Sequence, residues 1–212
     1  MAGARFNRIK TTELKSRILN LAQTSVYQVK LTPPEQVIRF INTGDRNFNY
    51  IFNGNTVEIM CEKTSLPGVN LFTHSVTNDF PGMSEKMAYR KDFDSTIDFT
   101  FMVHKNYDVI EMFDGWVDFV AGESTSKDPY LKNNAVSYRM NYPEDYKSDV
   151  HVTKWEKSNM IEPASRQLEY TFINAFPISI TPVEVNYNPS QTLKYSVSMS
   201  YTRYVRKRVF CR

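Results

Sequence analysis

The side chains that could do covalent or metal chemistry are few and scattered. His74, His104 and His151 are the three histidines, and no short interval joins them to one another or to a cysteine. A bound metal needs three or four such ligands at spacings that let them converge. Cys61 and Cys211 are the two thiols, with no Cys-x-x-Cys pair between them, so neither a disulfide framework nor a zinc cluster is expected. Cys61 falls in a strand-like run and is expected to be a small core residue. Asp92 and Asp94 flank Phe93. Alternation would put both carboxylates on one face, but no acid is fixed opposite them, and a turn or surface site is the better account of the pattern. The nucleophile elbow Gly-x-Ser-x-Gly, the phosphate-cradling P-loop and the dinucleotide glycine set are all absent. The expectation is a protein with no catalytic residues, no metal and no cofactor. Tyr130, Tyr138, Tyr142 and Tyr146 crowd one polar stretch. They could stack on nucleic-acid bases or sit in a protein interface, where tyrosine is enriched.

Composition sets what must carry these groups. A chain of 212 residues with 41% apolar and 23% charged side chains is long enough for one globular domain with its own core. Apolar runs are short and interrupted, as by Asp118 within 117–121, whereas a membrane-crossing helix needs about 20 apolar residues; no membrane anchor is expected. The opening MAGARFNRIK lacks the apolar centre of a secretory signal. The formal charge of +3 hides a gradient. Arg5, Arg8, Lys10, Lys15 and Arg17 face only Glu13 at the start, and Arg203, Arg206, Lys207, Arg208 and Arg212 meet no acid at the end, which leaves 18–202 acidic. Basic arms on an acidic body suit contact between subunits. A nucleic-acid-binding tail and simple solvation of the charges remain open readings.

The periodicities describe a mainly β protein with antiparallel strands and one flanking helix. A short amphipathic helix is expected at 12–23 from Leu14, Ile18 and Leu21, then a strand at 25–32. Pro33-Pro34-Glu35 opens a helical turn or two carrying Val37, Ile38 and Ile41. The Asn- and Gly-rich 47–54 reads as a loop, 56–63 as a strand, 69–82 as unassigned and 83–91 as a weak strand, with a turn at Asp92-Phe93-Asp94. The clearest strand is 95–104, with Ile97, Phe99, Phe101 and Val103 on one face and Asp98, Thr100, Met102 and His104 on the other. The best helix is 107–121, where Val109, Met112, Phe113, Trp116, Val117 and Val120 form one stripe before Gly122. Polar 123–147 reads as a surface insertion, and 149–156 and 166–176 as strands. Residues 191–205 read as one long strand, with Leu193, Tyr195, Val197, Met199 and Tyr201 facing the core against Lys194, Ser196, Ser198, Ser200 and Thr202. Phe99, Phe101, Phe113, Trp116, Tyr195 and Val197 are the expected core. Long two-faced strands leave open edges, which closure across several subunits would remove.

The order of these pieces resembles the tail tube protein of contractile-tailed, T4-type bacteriophages. The resemblance rests on Ser25-Val26-Tyr27-Gln28-Val29, the run 60–68 into Leu66-Pro67-Gly68, the segment 89–101 (YRKDFDSTIDFTF), Phe113-Asp114-Gly115-Trp116, Ala175-Phe176-Pro177 and the strand after Leu193. It spans most of 24–205, between an N-terminal arm at 1–23 and a basic tail at 206–212. The chain departs from the pattern by added residues near 32–52, at 123–147 and after Tyr204. What the resemblance implies is a structural virion protein with a β-sandwich or barrel fold. Its hexameric rings would share one ring-wide barrel and stack head to tail into a hollow tube inside a contractile sheath. The implied partners are further copies of itself, the sheath, baseplate and terminator proteins, and the tape measure protein and transiting DNA in the lumen. Its place would be the phage tail, assembled in the host cytoplasm. A tube-initiating baseplate ring and the related type VI secretion tube are neighbouring implications. Face alternation within that frame assigns Ser196, Ser198, Ser200, Thr202, Asp98 and Thr100 to the lumen. Leu66, Pro67, Gly68, Arg206, Lys207 and Arg208 are the candidates for contacts between rings.

Overall fold

The computed structural model describes residues 22, 24–42, 61–77, 82, 84–122, 140–155, 166–183, 185–186 and 192–210. The expected helix at 12–23 (apart from Ala22), the loop at 47–54, most of the strand at 56–63, Tyr130, Tyr138 and Cys211 lie outside them. The elements in order are β1 (Tyr27–Leu31), α1 (Glu35–Asn42), β2 (Cys61–Thr64), β3 (Val69–Val76), β4 (Glu85–Phe93), β5 (Thr96–Met102), α2 (Asp108–Ala121), α3 (Pro143–Tyr146), β6 (Ser148–Trp155), β7 (Arg166–Ile180), β8 (Lys194–Ser200) and β9 (Arg203–Phe210). The protein is mainly β, and every strand pairing is antiparallel.

Seven strands form one sheet in the order β1-β6-β7-β8-β5-β2, with β9 also on β7. The long β7 is the joint. Its first half pairs with β6 and β9, and from Phe176 onward it pairs with β8. Asn174 makes the bend between the halves with φ 58, a left-handed conformation that asparagine tolerates better than most residues. The Asn174 backbone N–H donates to Asp149 Oδ1 at 3.1 Å. Pro177 sits beside the register shift in the half of β7 that, among the described residues, pairs with β8 only, an edge and bulge position of the kind where proline is tolerated. Folded this way, the sheet wraps one core to which both halves contribute, Val29, Val150, Val152 and Phe172 from one and Ile97, Phe99, Phe101, Tyr195 and Val197 from the other. The two ends of the path meet where the β1 residue Tyr27 donates its hydroxyl to the β2 carbonyl of Cys61 at 3.0 Å.

The helix α2 packs its stripe into this core. Val109, Met112, Phe113 and Trp116 are buried, and Gly122 ends the helix in a left-handed cap. The α1 helix starts on Pro34, whose carbonyl accepts from the N–H of Ile38 at 3.1 Å, and buries Val37 and Ile41. Phe99, Phe101, Phe113, Trp116, Tyr195 and Val197 are all buried in the same cluster.

Four expectations need correction. The single strand at 191–205 is two strands, β8 and β9, broken at Tyr201 and Thr202, whose N–H groups donate to Ser95 and Ile173 respectively. The inward phase shifts at the break: Tyr201 is buried, Thr202 and Arg203 are both exposed, and Tyr204 turns back toward the core against Tyr170 and Phe172. Arg206, Lys207 and Arg208 are not a free tail but lie within β9, opposite Tyr170, Glu169 and Leu168. Residues 69–76, unassigned from sequence, are strand β3, and β4 runs through Asp92 and Phe93 so that the turn falls at Asp94 and Ser95. The strand expected at 166–176 continues to Ile180.

Candidate assembly site

The chemistry-bearing residues are dispersed in space as in sequence. His74 is exposed on β3 and His104 is exposed just after β5. His151 Nδ1 lies 3.1 Å from Thr171 Oγ1 and 3.6 Å from Glu169 Oε1 across the β6–β7 ladder. Among the described residues no group of three or more His, Cys, Asp or Glu could hold a metal ion. Burial pushes the Cys61 thiol up to about 12, away from the thiolate form that would make it a nucleophile. Burial also raises the Tyr195 hydroxyl, and the hydrogen bond it donates to Asp114 Oδ1 at 2.6 Å raises it further. These polar atoms serve the core. Trp116 is likewise a core residue, its indole N–H donating to the Tyr146 carbonyl at 3.0 Å.

The surface is more informative. Strands β5 and β8 lie side by side with Asp98 opposite Ser198, Thr100 opposite Ser196 and Thr96 opposite Ser200. Their buried neighbours alternate with them, so these six share the outer face. The face is bonded across the ladder: Ser198 Oγ donates to Asp98 Oδ1, and Thr100 Oγ1 and Ser196 Oγ stand 3.1 Å apart. At its edge Lys194 Nζ meets Glu62 Oε1 at 2.6 Å. Thr202 is exposed but lies past the end of β8. The structure therefore gathers five of the six lumen candidates on one sheet face and leaves Thr202 at its end.

The second surface is a two-stranded ribbon, β3 with β4, that among the described residues joins no other sheet. Nearly all its residues are exposed, and several are large and apolar: Val69, Leu71 (61% exposed), Phe72, Met87 and Tyr89 (69%). The pairing slips between Phe72 and Thr73, which breaks the alternation and explains why the sequence pattern was unreadable there. Leu66 and Gly68 are exposed and Pro67 half-buried at the ribbon's root. The third surface is β9, with Arg203, Arg206 and Lys207 exposed. Of the ring-contact candidates, one group thus stands at the ribbon's root and the other in a sheet strand.

This fold is shared with a chain in the cryo-EM structure of the anti-feeding prophage (AFP) baseplate, at 10% identity over 88% of this chain and 97% of that one, with a TM-score of 0.50. A chain of the PVC sheath-tube complex in the extended state is similar at 11% identity over 92% and 97%, TM-score 0.48. The Hcp protein is similar at 14% over 85% and 91%, TM-score 0.45. No curated protein matches the sequence. The fold class is thus a mainly β, antiparallel one shared with that baseplate chain. The family model described as phage tail tube protein matches residues 22–207, and the chain belongs to that family. It is a tail tube structural protein and not an enzyme.

Proposed function

We propose that this chain builds the hollow inner tube of a contractile tail, as homohexameric rings stacked head to tail. In this reading Asp98, Thr100, Ser196, Ser198 and Ser200 line the lumen, with Thr202 at the end of that face. The ribbon, with Leu66, Pro67 and Gly68 at its root, and the basic strand β9, with Arg206, Lys207 and Arg208, touch neighbouring subunits. A sheath surrounds the tube, baseplate and terminator proteins close its ends, and the tape measure protein and then DNA occupy the lumen. The working place is the virion tail, after assembly in the host cytoplasm.

The observation that carries this reading is the ribbon. A pair of strands with Leu71, Phe72, Met87 and Tyr89 in solvent is a poor ending for a lone protein, because exposed apolar surface of this kind marks contact sites. A heterologous contact that repeats from ring to ring covers it in every copy but the last. The hydroxyl-rich face of β5 and β8 supports the lumen assignment, since holding phosphate needs Lys or Arg and these positions offer none.

Negative-stain electron microscopy over a concentration series tests the proposal. Hollow rings or open-ended tubes are expected, with end views giving the symmetry. Dispersed small particles at every concentration, together with steep salt-dependent DNA binding, would replace it with the nucleic-acid-binding reading.

A further inference from the structure

We infer that Tyr204 aims the β3–β4 ribbon, so that ribbon and β9 act as one preset docking unit. The inference rests on the proposal that the ribbon contacts a neighbouring subunit. Among the described residues no backbone ladder joins the ribbon to the seven-stranded sheet, and an isolated pair of strands is marginal in water. Left to its backbone, the ribbon would swing about its root. What holds it is a side-chain clasp. Phe93, at the foot of β4, sets its ring edge-on to Tyr204 with centroids 5.3 Å apart at 89°. Lys91, two residues up the same strand, places Nζ 4.6 Å from the Phe93 ring and 5.7 Å from the Tyr204 ring.

Tyr204 is itself held from below. Its ring lies 5.9 Å from Tyr170 and 6.4 Å from Phe172, and both of those belong to the core cluster. It therefore touches the ribbon on one side and the core on the other. Two contacts close the root beside it. The Tyr201 N–H donates to the Ser95 carbonyl at 3.0 Å, just where the chain leaves the ribbon. The Asp94 carboxylate lies over Gly68, where a β-carbon would stand 2.8 Å from Oδ2. An arm fixed before docking loses less conformational freedom when it docks.

The test uses the full chain with Cys61→Ala and Cys211→Ser, spin-labelled at Ser75→Cys near the ribbon's far end and at Lys30→Cys on β1. Electron–electron distance measurement on dilute protein should give one narrow distribution in this parent and in Tyr204→Phe, which keeps the ring. Tyr204→Ala should broaden it, and in unlabelled protein should raise the concentration at which tubes appear by about tenfold, while Tyr204→Phe leaves that threshold unchanged. If Tyr204→Ala does not fold, Phe93→Leu and Lys91→Gln make the same comparison. An unchanged narrow distribution in the folded variants overturns the inference. A broadened distribution with an unchanged tube threshold instead overturns the docking role of the ribbon and leaves the clasp standing.

Discussion

Gly115 of α2 faces Ile41 of α1. A β-carbon there would stand 2.7 Å from Ile41 Cγ1 and 3.2 Å from Cδ1. Alanine normally gains about 1 kcal/mol over glycine inside a helix, but Ile41 is itself helical and branched at Cβ, so it has little rotamer freedom with which to retreat. The clash should win. Gly115→Ala is expected to lower stability by roughly 1–3 kcal/mol in urea unfolding. Combining it with Ile41→Ala should cost less than the two single changes together, because they share one contact; simple additivity would show that the helices do not meet there. The run 113–116 thus has a role at each residue. Phe113 and Trp116 fill the core, Asp114 accepts the Tyr195 hydroxyl, and Gly115 admits α1. Only the two aromatic roles were legible in sequence, since the other two depend on partners 81 residues later and 74 earlier. Titration makes a second prediction. Tyr27 and Tyr201 are pushed up to about 12, first of all by burial. In the unfolded chain each titrates near 10. The folded state therefore keeps protons that the unfolded state releases between about pH 10 and 12. Their stabilising effect is whole below that window and is lost as pH rises through it. The urea midpoint should fall across the window while phenolate absorbance lags behind that of the unfolded chain, and a flat midpoint would contradict the burial of these hydroxyls.

Elements whose partner is irrelevant to their pattern were readable, and elements defined by a partner were not. The buried Ile97, Phe99 and Phe101 of β5 and the stripe of α2 follow from their own periods of 2 and 3.6. The break between β8 and β9 does not, because it is set by which half of β7 each strand meets, and the inward phase shifts there from Tyr201 to Tyr204. Charge density made β9 look like a tail, yet an edge strand accommodates basic residues and is protected by them. The basic residues are therefore to be tested by substitution and not by truncation. Ending the chain after Val205 would strip the ladder from Arg166 to Tyr170, so lost assembly would report lost fold. The double change Arg206→Gln and Lys207→Gln keeps the strand, and should leave stability within about 0.5 kcal/mol because both side chains are exposed. If these cations hold neighbouring subunits, tube formation by the parent should weaken as salt rises, and the double variant should form fewer tubes at low salt with a flatter salt response. Identical salt curves for the two proteins would remove β9 from the contact.

At the scale of the whole molecule, the assembly proposal makes two demands on one sheet. Its inner face must seal a core, and its outer face must stay wet without gripping DNA. Strands β5 and β8 meet the first with Phe99, Phe101, Tyr195, Val197 and Met199. They meet the second with polar groups that bond across the ladder, Thr100 with Ser196 and Ser198 with the Asp98 carboxylate, and so present little unsatisfied polarity and no cation to a passing polyanion. If that face lines the lumen, one added cation per subunit is multiplied around every ring and along every stacked ring. Ser200→Arg, opposite Thr96 at the end of the ladder, should leave the dissociated subunit indifferent to DNA and let tubes form. DNA should then bind the assembled tubes, with an affinity that falls steeply as salt rises. Glu144→Arg makes the same charge type on exposed α3, and should not create a salt-sensitive DNA site inside the tubes. Protection of the bound DNA from nuclease separates the two locations, since DNA inside a tube is shielded and DNA on its outside is cut. Shielded DNA in Ser200→Arg alone places β5 and β8 at the lumen. Accessible DNA in both variants would put that face on the exterior and assign the lumen to another surface of the sheet.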